Sequence, residues 1–102
     1  MRVISRKRLR EYWKVHSDAE AALKSWYKIV TNAEWRTPKE LAETIKGVDP
    51  VKVSSGAVVS VFNIANNNHR LIAHFHFDKQ RVFVLRVMTH REYDRDKWKE
   101  EL

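Results

Sequence analysis

The runs "HRLIAHFHF" (69–77) and "RVFVLRVMT" (81–89), separated only by "DKQ", constrain this chain more than any other feature. Both are rich in β-branched and aromatic residues, and so short a spacer turns the chain back antiparallel to itself, so the pair reads as a β-hairpin. Alternation puts Leu71, Ala73, Phe75 and Phe77 on one face of the first strand and Arg70, Ile72, His74 and His76 on the other. In the second strand the two sets are Phe83, Leu85 and Val87 against Val82, Val84, Arg86 and Met88. Both faces are mostly apolar near the middle, which suits central strands of a sheet with helices packed on one side.

Two further strands, at 51–53 and 57–64, precede the hairpin, and "RVIS" (2–5) is a candidate edge strand. Before Gly47 the period is helical. Leu9, Tyr12, Trp13 and His16 recur at three- and four-residue spacing, so 6–16 reads as an amphipathic helix whose other face is basic. "SDAE" (17–20) predicts a capping box opening a helix that buries Ala19, Ala22, Leu23, Trp26, Ile29 and Val30 and ends near Asn32. "TPKE" (37–40) predicts a third helix, with Gly47 as its stop, and a charged helix anchored by Tyr93 and Trp98 closes the chain from about His90. The expectation is one α+β domain over 1–102, a small antiparallel β-sheet flanked by N-terminal helices and a short C-terminal helix.

Lys and Arg number 20 against 13 Asp and Glu, a formal net charge of +7, densest at "RKRLR" (6–10). Such a surface attracts polyanions, with RNA, DNA, an anionic membrane or an acidic protein as the classes to weigh against an idle solvated face. No apolar run is long enough to span a bilayer, and the first residues hold no apolar signal segment. With no cysteine there is no disulfide framework. A soluble, cytoplasmic protein is expected.

Two constellations can carry chemistry. His74 and His76 share a strand face, with His69 and His90 as further histidines, but a zinc site needs a third ligand of matching geometry and no such motif is present. No metal or cofactor is therefore expected. The second is a phosphate site. With a three-residue turn Arg86 falls opposite Ile72, leaving Arg70 a diagonal neighbour, while His90 and Tyr93 follow directly and "NIANNNHR" (63–70) adds a loop of amides. Cleavage of RNA by its own 2′-hydroxyl needs a base, an acid and fixed positive charge around the phosphorane, and no metal. Arginine supplies the charge and histidine moves protons near neutrality. Each residue also has a plainer role open to it: Arg70 and Arg86 as ion-pair partners, His90 as a helix cap, Tyr93 as packing.

The stretch "NNNHRLIAHFHFDKQRVFVLRVMTHREYD" (66–94) resembles the HigB-type toxins of bacterial toxin–antitoxin systems, within the RelE-like superfamily. The shared pattern is an Asn-rich turn, an Arg opening a strand, a short turn, and a second strand ending in Thr-His-x-x-Tyr-Asp. "MRVISRKRLREYW" and "TPKELAETI" are similar to the family's start and third helix. The resemblance implies a RelE-like fold and an mRNA interferase, an endoribonuclease cutting mRNA during translation on the ribosome. It implies a partner antitoxin with a helix-turn-helix fold (HigA-like), through which alone operator DNA is bound. Carried over by position, Arg70 holds the scissile phosphate, His90 and Tyr93 handle protons or stack on a base, and Asp94 is a support. Asn67 and Asn68 contact the nucleotide or only make the turn. Arg86 rests on the strand geometry more than on the family. On this reading Arg6, Lys7, Arg8 and Arg10 meet ribosomal RNA phosphates, with Lys24, Lys28 and Lys52 as extensions. The readings set against it are a ParE-like toxin that is not a nuclease and a simple basic RNA- or DNA-binding module.

Overall fold

A computed structural model describes all of Met1–Leu102 and sets the two long apolar runs side by side in one sheet. The elements are β1 (Arg2–Ile4), α1 (Arg6–Val15), a 3-10 turn (Ser17–Ala19), α2 (Glu20–Thr31), α3 (Pro38–Thr44), β2 (Asp49–Lys52), β3 (Val58–Ile64), β4 (His69–His76), β5 (Arg81–Thr89), α4 (His90–Asp94) and α5 (Lys97–Glu101). The sheet order is β1-β5-β4-β3-β2. Strands β2 to β5 form an antiparallel meander, and β1 joins the edge parallel to β5. The fold is α+β and RelE-like, as the sequence predicts.

One face of the sheet carries the main core. Leu71, Ala73 and Phe75 of β4 meet Leu9 of α1, Leu23, Trp26 and Val30 of α2, and Leu41 of α3. Burying a side chain of this size contributes about 1.5–3 kcal/mol. The other face carries a smaller core, Val59, Val61, Ile72 and Met88, closed by Trp98 of α5. The apolar residues on both faces of β4 and β5 therefore have cover on both, from the three early helices on one side and the chain end on the other.

Strict alternation fails in β5. Ile72 pairs with Arg86 but Ala73 pairs with Val84, so Leu85 is an extra residue in a β-bulge. Beyond it the faces exchange: Val82, Val84 and Val87 pack on the helical side, while Leu85 and Met88 join the second core. The expected grouping of Phe83, Leu85 and Val87 is corrected accordingly.

Three helix boundaries differ from or refine expectation. Thr37 caps α3 by accepting from the Glu40 amide, with Pro38 at the first helical position, as "TPKE" predicts. Ser17 makes no such cap; residues 17–19 wind as a 3-10 turn and α2 begins at Glu20. The predicted closing helix is two short ones, interrupted where Asp96 takes a left-handed φ of 60°. Ile29, expected in the core, is 43% exposed. Gly47 has φ +83° in the turn after α3, a conformation that costs glycine little. No helix is long and apolar enough to cross a membrane.

Candidate active site

The site begins with a turn that only certain residues tolerate. Ala65, Asn66 and Asn67 all have positive φ, at 51°, 55° and 68°. Asparagine enters this left-handed region more readily than other residues with a Cβ. The two carbonyls that follow are put to use: Asn67 O accepts from Arg70 Nη1 at 2.8 Å, and Asn68 O accepts from the His90 amide at 2.9 Å. The asparagine side chains themselves are exposed. The main-chain bond to His90 fixes the end of β5, where α4 starts, against the β3–β4 turn.

Helix α4 is held by its own capping box. Thr89 Oγ1 accepts from the Glu92 amide, and Glu92 Oε1 accepts from the Thr89 amide, both at 3.2 Å. A cap of this kind is worth about 1 kcal/mol, which matters for a helix of five residues. The Thr-x-x-Glu signature was readable at 89–92 and places the helix start one residue more firmly than the change of pattern at His90 does.

Arg70 and His90 meet across this junction. Arg70 Nη2 lies 2.8 Å from His90 Nδ1, and Nη1 also donates to His69 O at 3.0 Å. A guanidinium has only donors, so Nδ1 must accept, which puts the ring proton on Nε2. Nε2 lies 3.0 Å from Asp94 Oδ2, one helical turn on. His90 is thus held between a cation and a carboxylate, and it is half exposed. Arg70 is only 9% exposed and has no carboxylate in salt-bridge range. A buried cation satisfied only by carbonyls and an imidazole leaves its net charge uncompensated, a costly state unless an anion arrives from outside.

Tyr93 forms the adjoining wall. The Arg70 guanidinium carbon lies 5.4 Å from its ring centroid, and the ring stacks on Trp98 at 5.2 Å. Trp98 Nε1 donates to Tyr93 O at 3.1 Å, tying α5 to α4. Burial, then the charge of Asp49, pushes the Tyr93 hydroxyl above its ordinary value, so it stays a phenol.

The other residues singled out from sequence lie elsewhere. Arg86 pairs with Ile72 as expected, though by another route, since the strands close at His76–Arg81 and the bulge at Leu85 restores the pair; its Nη1 donates to Leu85 O and its side chain lines grooves beside α1 and α5. It makes no hydrogen bond to Arg70, His90 or Tyr93. Lys52 pairs with Val58 at the opposite end of β3 from the Asn63–Arg70 pair. The basic residues of α1 do not share one surface. Arg6 stacks on Tyr27, Lys7 pairs with Glu11, Arg8 lines the groove that also holds Arg86, and Arg10 is exposed. Lys24 pairs with Glu20 and also approaches the Trp13 ring, and Lys28 is exposed. His74 and His76 contact each other edge-on, and no group of three His, Cys, Asp or Glu side chains is placed to share a metal.

One cluster escaped the sequence reading. His69, 4% exposed, receives Tyr12 Oη at 2.6 Å on Nδ1 and lies 2.7 Å from Asp18 Oδ2 through Nε2. His16 stacks on Tyr12 at 4.3 Å. The four-residue spacing of Tyr12 and His16 was visible, but that Asp18 reaches β4 depends on how the 3-10 turn packs. The Asp18 carboxyl lies below its ordinary 3.8, chiefly because His69 donates to it. A depressed carboxyl contributes stability that is fully present above its unfolded value and lost as pH falls through its folded one. Melting temperatures of the protein and of Asp18→Asn should therefore differ at pH 5–6 and converge as the pH falls below the ordinary carboxylate range and through the lowered Asp18 value. A constant gap down to the lowest pH would dissociate the carboxylate from this contribution.

Comparison with known proteins bears on the same residues. The family model for HigB toxin, the RelE-like toxic component of a toxin–antitoxin system, matches residues 19–96, which include β4, β5 and α4. The mRNA interferase HigB of Escherichia coli O6:H1 (strain CFT073) is 28% identical over 95 residues, covering 93% of this chain and 90% of that protein. The mRNA interferase toxin HigB of Escherichia coli (strain K12) and the mRNA interferase HigB of Shigella flexneri are each 26% identical over 94 residues, 92% of this chain and 88% of theirs. A strand bearing a buried cation, a capped turn presenting an imidazole and a match over most of the chain lead to one assignment: the chain belongs to the HigB family of RelE-like toxins of toxin–antitoxin systems.

Proposed function

We propose that this toxin is an mRNA interferase that cuts mRNA during translation on the ribosome, without a metal, by attack of a 2′-hydroxyl on the adjacent phosphate. The observation that carries this reading is buried Arg70, lacking a counter-anion, beside the half-exposed imidazole of His90. The relatives named as mRNA interferases supply the substrate class.

In this reading the scissile phosphate docks on the two N–H groups of Arg70 that its three bonds leave unused. As Nη2 turns to the phosphate, His90 Nδ1 is released to take the 2′-OH proton, with Asp94 steadying the imidazolium through Nε2. The 2′-oxygen bonds to phosphorus, the P–O5′ bond breaks, and the leaving oxygen takes a proton. The products are a 2′,3′-cyclic phosphate and a 5′-hydroxyl. Tyr93, kept a phenol and set against the Arg70 guanidinium, is the candidate donor to the leaving oxygen. Asn67 and Asn68 act through their carbonyls, by aiming Arg70 and the start of α4. Exposed Lys7 and Arg10 face ribosomal RNA, and a HigA-like helix-turn-helix antitoxin holds the toxin inactive in the cytoplasm.

The decisive experiment is induction followed by sequencing of transcript 5′ ends. Growth arrest with new 5′-hydroxyl ends inside translated frames is the expected result, as is cutting by purified protein in a translating extract but not on the same RNA alone. Arrest with intact transcripts and damaged DNA would mark a ParE-like toxin, and binding without arrest a simple nucleic-acid-binding module.

A further inference from the structure

The Tyr12–His69–Asp18 chain lies outside the proposed reaction and opens onto its own groove. This groove, about 330 Å³, runs between α1 and β5 and is walled by Arg8, Tyr12, His16 and Arg86. β5 has no strand beside it beyond the Ile4–Phe83 pair, so Arg86 stands at an open sheet edge and its side chain lines this wall. Neither Arg8 nor Arg86 has an ion-pair partner. The acid on the wall, Glu11, is engaged by Lys7 at 3.6 Å. Arg86 also lines a second groove with Arg95 and Lys97, so the cationic track continues towards α5, where Glu92 and Glu101 are its acidic members. Glu92 is taken up by the cap of α4.

The hydrogen-bond roles of Tyr12 follow from its partners. Asp18 is ionised and accepts from His69 Nε2, so on a neutral ring Nδ1 accepts and Tyr12 donates its hydroxyl proton inward. Burial, then Glu92 and Asp18, pushes the Tyr12 hydroxyl well above its ordinary value, so it does not become a phenolate. Its oxygen lone pairs remain, an acceptor in a groove shared with two guanidiniums that have no ion-pair partner. Guanidiniums suit phosphate, and a fixed acceptor suits a hydroxyl donor.

We infer that this groove binds the ribose–phosphate backbone of single-stranded RNA away from the scissile linkage, with phosphate on Arg8 and Arg86 and a ribose hydroxyl donating to Tyr12 Oη. The inference rests on the mRNA interferase reading, and it adds a second contact, centred on Tyr12 beside His69 and apart from the Arg70–His90 pair. His69 and Asp18 are positioning residues here: they fix which way the Tyr12 hydroxyl points.

The test uses full-length protein on a His90→Ala background and a labelled RNA oligonucleotide, with DNA of the same sequence alongside. Arg8→Gln with Arg86→Gln should weaken RNA binding about tenfold or more and flatten the salt dependence by about two phosphate contacts. Lys39→Gln with Lys79→Gln removes the same charge from exposed positions outside the groove and should change binding no more than about twofold. Tyr12→Phe should weaken RNA binding while leaving DNA binding as it was. Arg86→Lys, which keeps the charge, should recover part of the loss, and melting curves show that each variant is folded. Equal behaviour of the two double variants overturns the phosphate assignment, and equal loss on RNA and DNA for Tyr12→Phe overturns the hydroxyl assignment. The two readings fail differently. Intact cutting with no groove effect removes only the groove, whereas transcripts left uncut by the parent protein remove the interferase reading itself.

Discussion

Arg70→Ala is expected to lower cutting at least about a hundredfold and to abolish growth arrest, because it deletes the fixed charge beneath the phosphate. The change has a second consequence that separates Arg70 from a surface arginine. Its guanidinium satisfies Asn67 O, His69 O and His90 Nδ1 at once, and all three lose a partner. Of the three, the bond to His69 O is fully buried, and a buried group left unpaired costs on the order of 1–3 kcal/mol, so a lower melting temperature should accompany the lost activity. Arg70→Lys separates the two effects. It keeps the charge but cannot reach two carbonyls and an imidazole with a rigid fork, so activity should remain well below that of the parent protein even where stability recovers. Rates in a translating extract and thermal melts check both. A folded Arg70→Ala protein that cuts at the parent rate would place the phosphate elsewhere.

His90→Ala is expected to reduce cutting about 10²–10⁴-fold, the range for losing a positioned proton carrier. Asp94→Asn should cost less, about tenfold, because its carboxylate is exposed and acts only through His90 Nε2. The double variant distinguishes this arrangement from two independent roles. If Asp94 works through His90, adding Asp94→Asn to His90→Ala costs nothing further, since non-additivity is the mark of residues acting as one unit. Multiplying losses in the double variant would show that Asp94 touches RNA or another group directly.

Both sets of variants probe positions that the sequence exposes unequally. The hairpin and the α+β class follow from alternation in 69–89 and from the short turn, because side-chain period and turn signals are local properties, but the register does not: the strands close at His76–Arg81, one residue off a three-residue turn. Thr37 and Pro38 fix the start of α3 in the same way. Arg70, His90, Tyr93 and Asp94 were legible as a pattern: one opens a strand and the others sit on the capped turn at the end of its neighbour.

What sequence could not decide is where chain segments distant in sequence come together. The bulge at Leu85 is one extra residue between two otherwise regular pairings, and it returns Arg86 to the face of Ile72 and Met88 after Val82 and Val84 have packed on the helical side. No local signal marks it, because the run Val82–Met88 contains neither glycine nor proline. The basic run 6–10 looks like one patch on paper, but a helix distributes consecutive residues around its axis, so Arg6 meets Tyr27 while Arg8 meets the groove. Asp18 reaches His69 across 51 residues only because the 3-10 turn lies over the end of β4. By itself, then, the sequence determined the strands and the residue types of the candidate site, governed by neighbours along the chain, while the register past the bulge was not among them. Only tertiary structure decided which cations stay without a counter-charge, because that depends on which carboxylates and carbonyls folding carries to them.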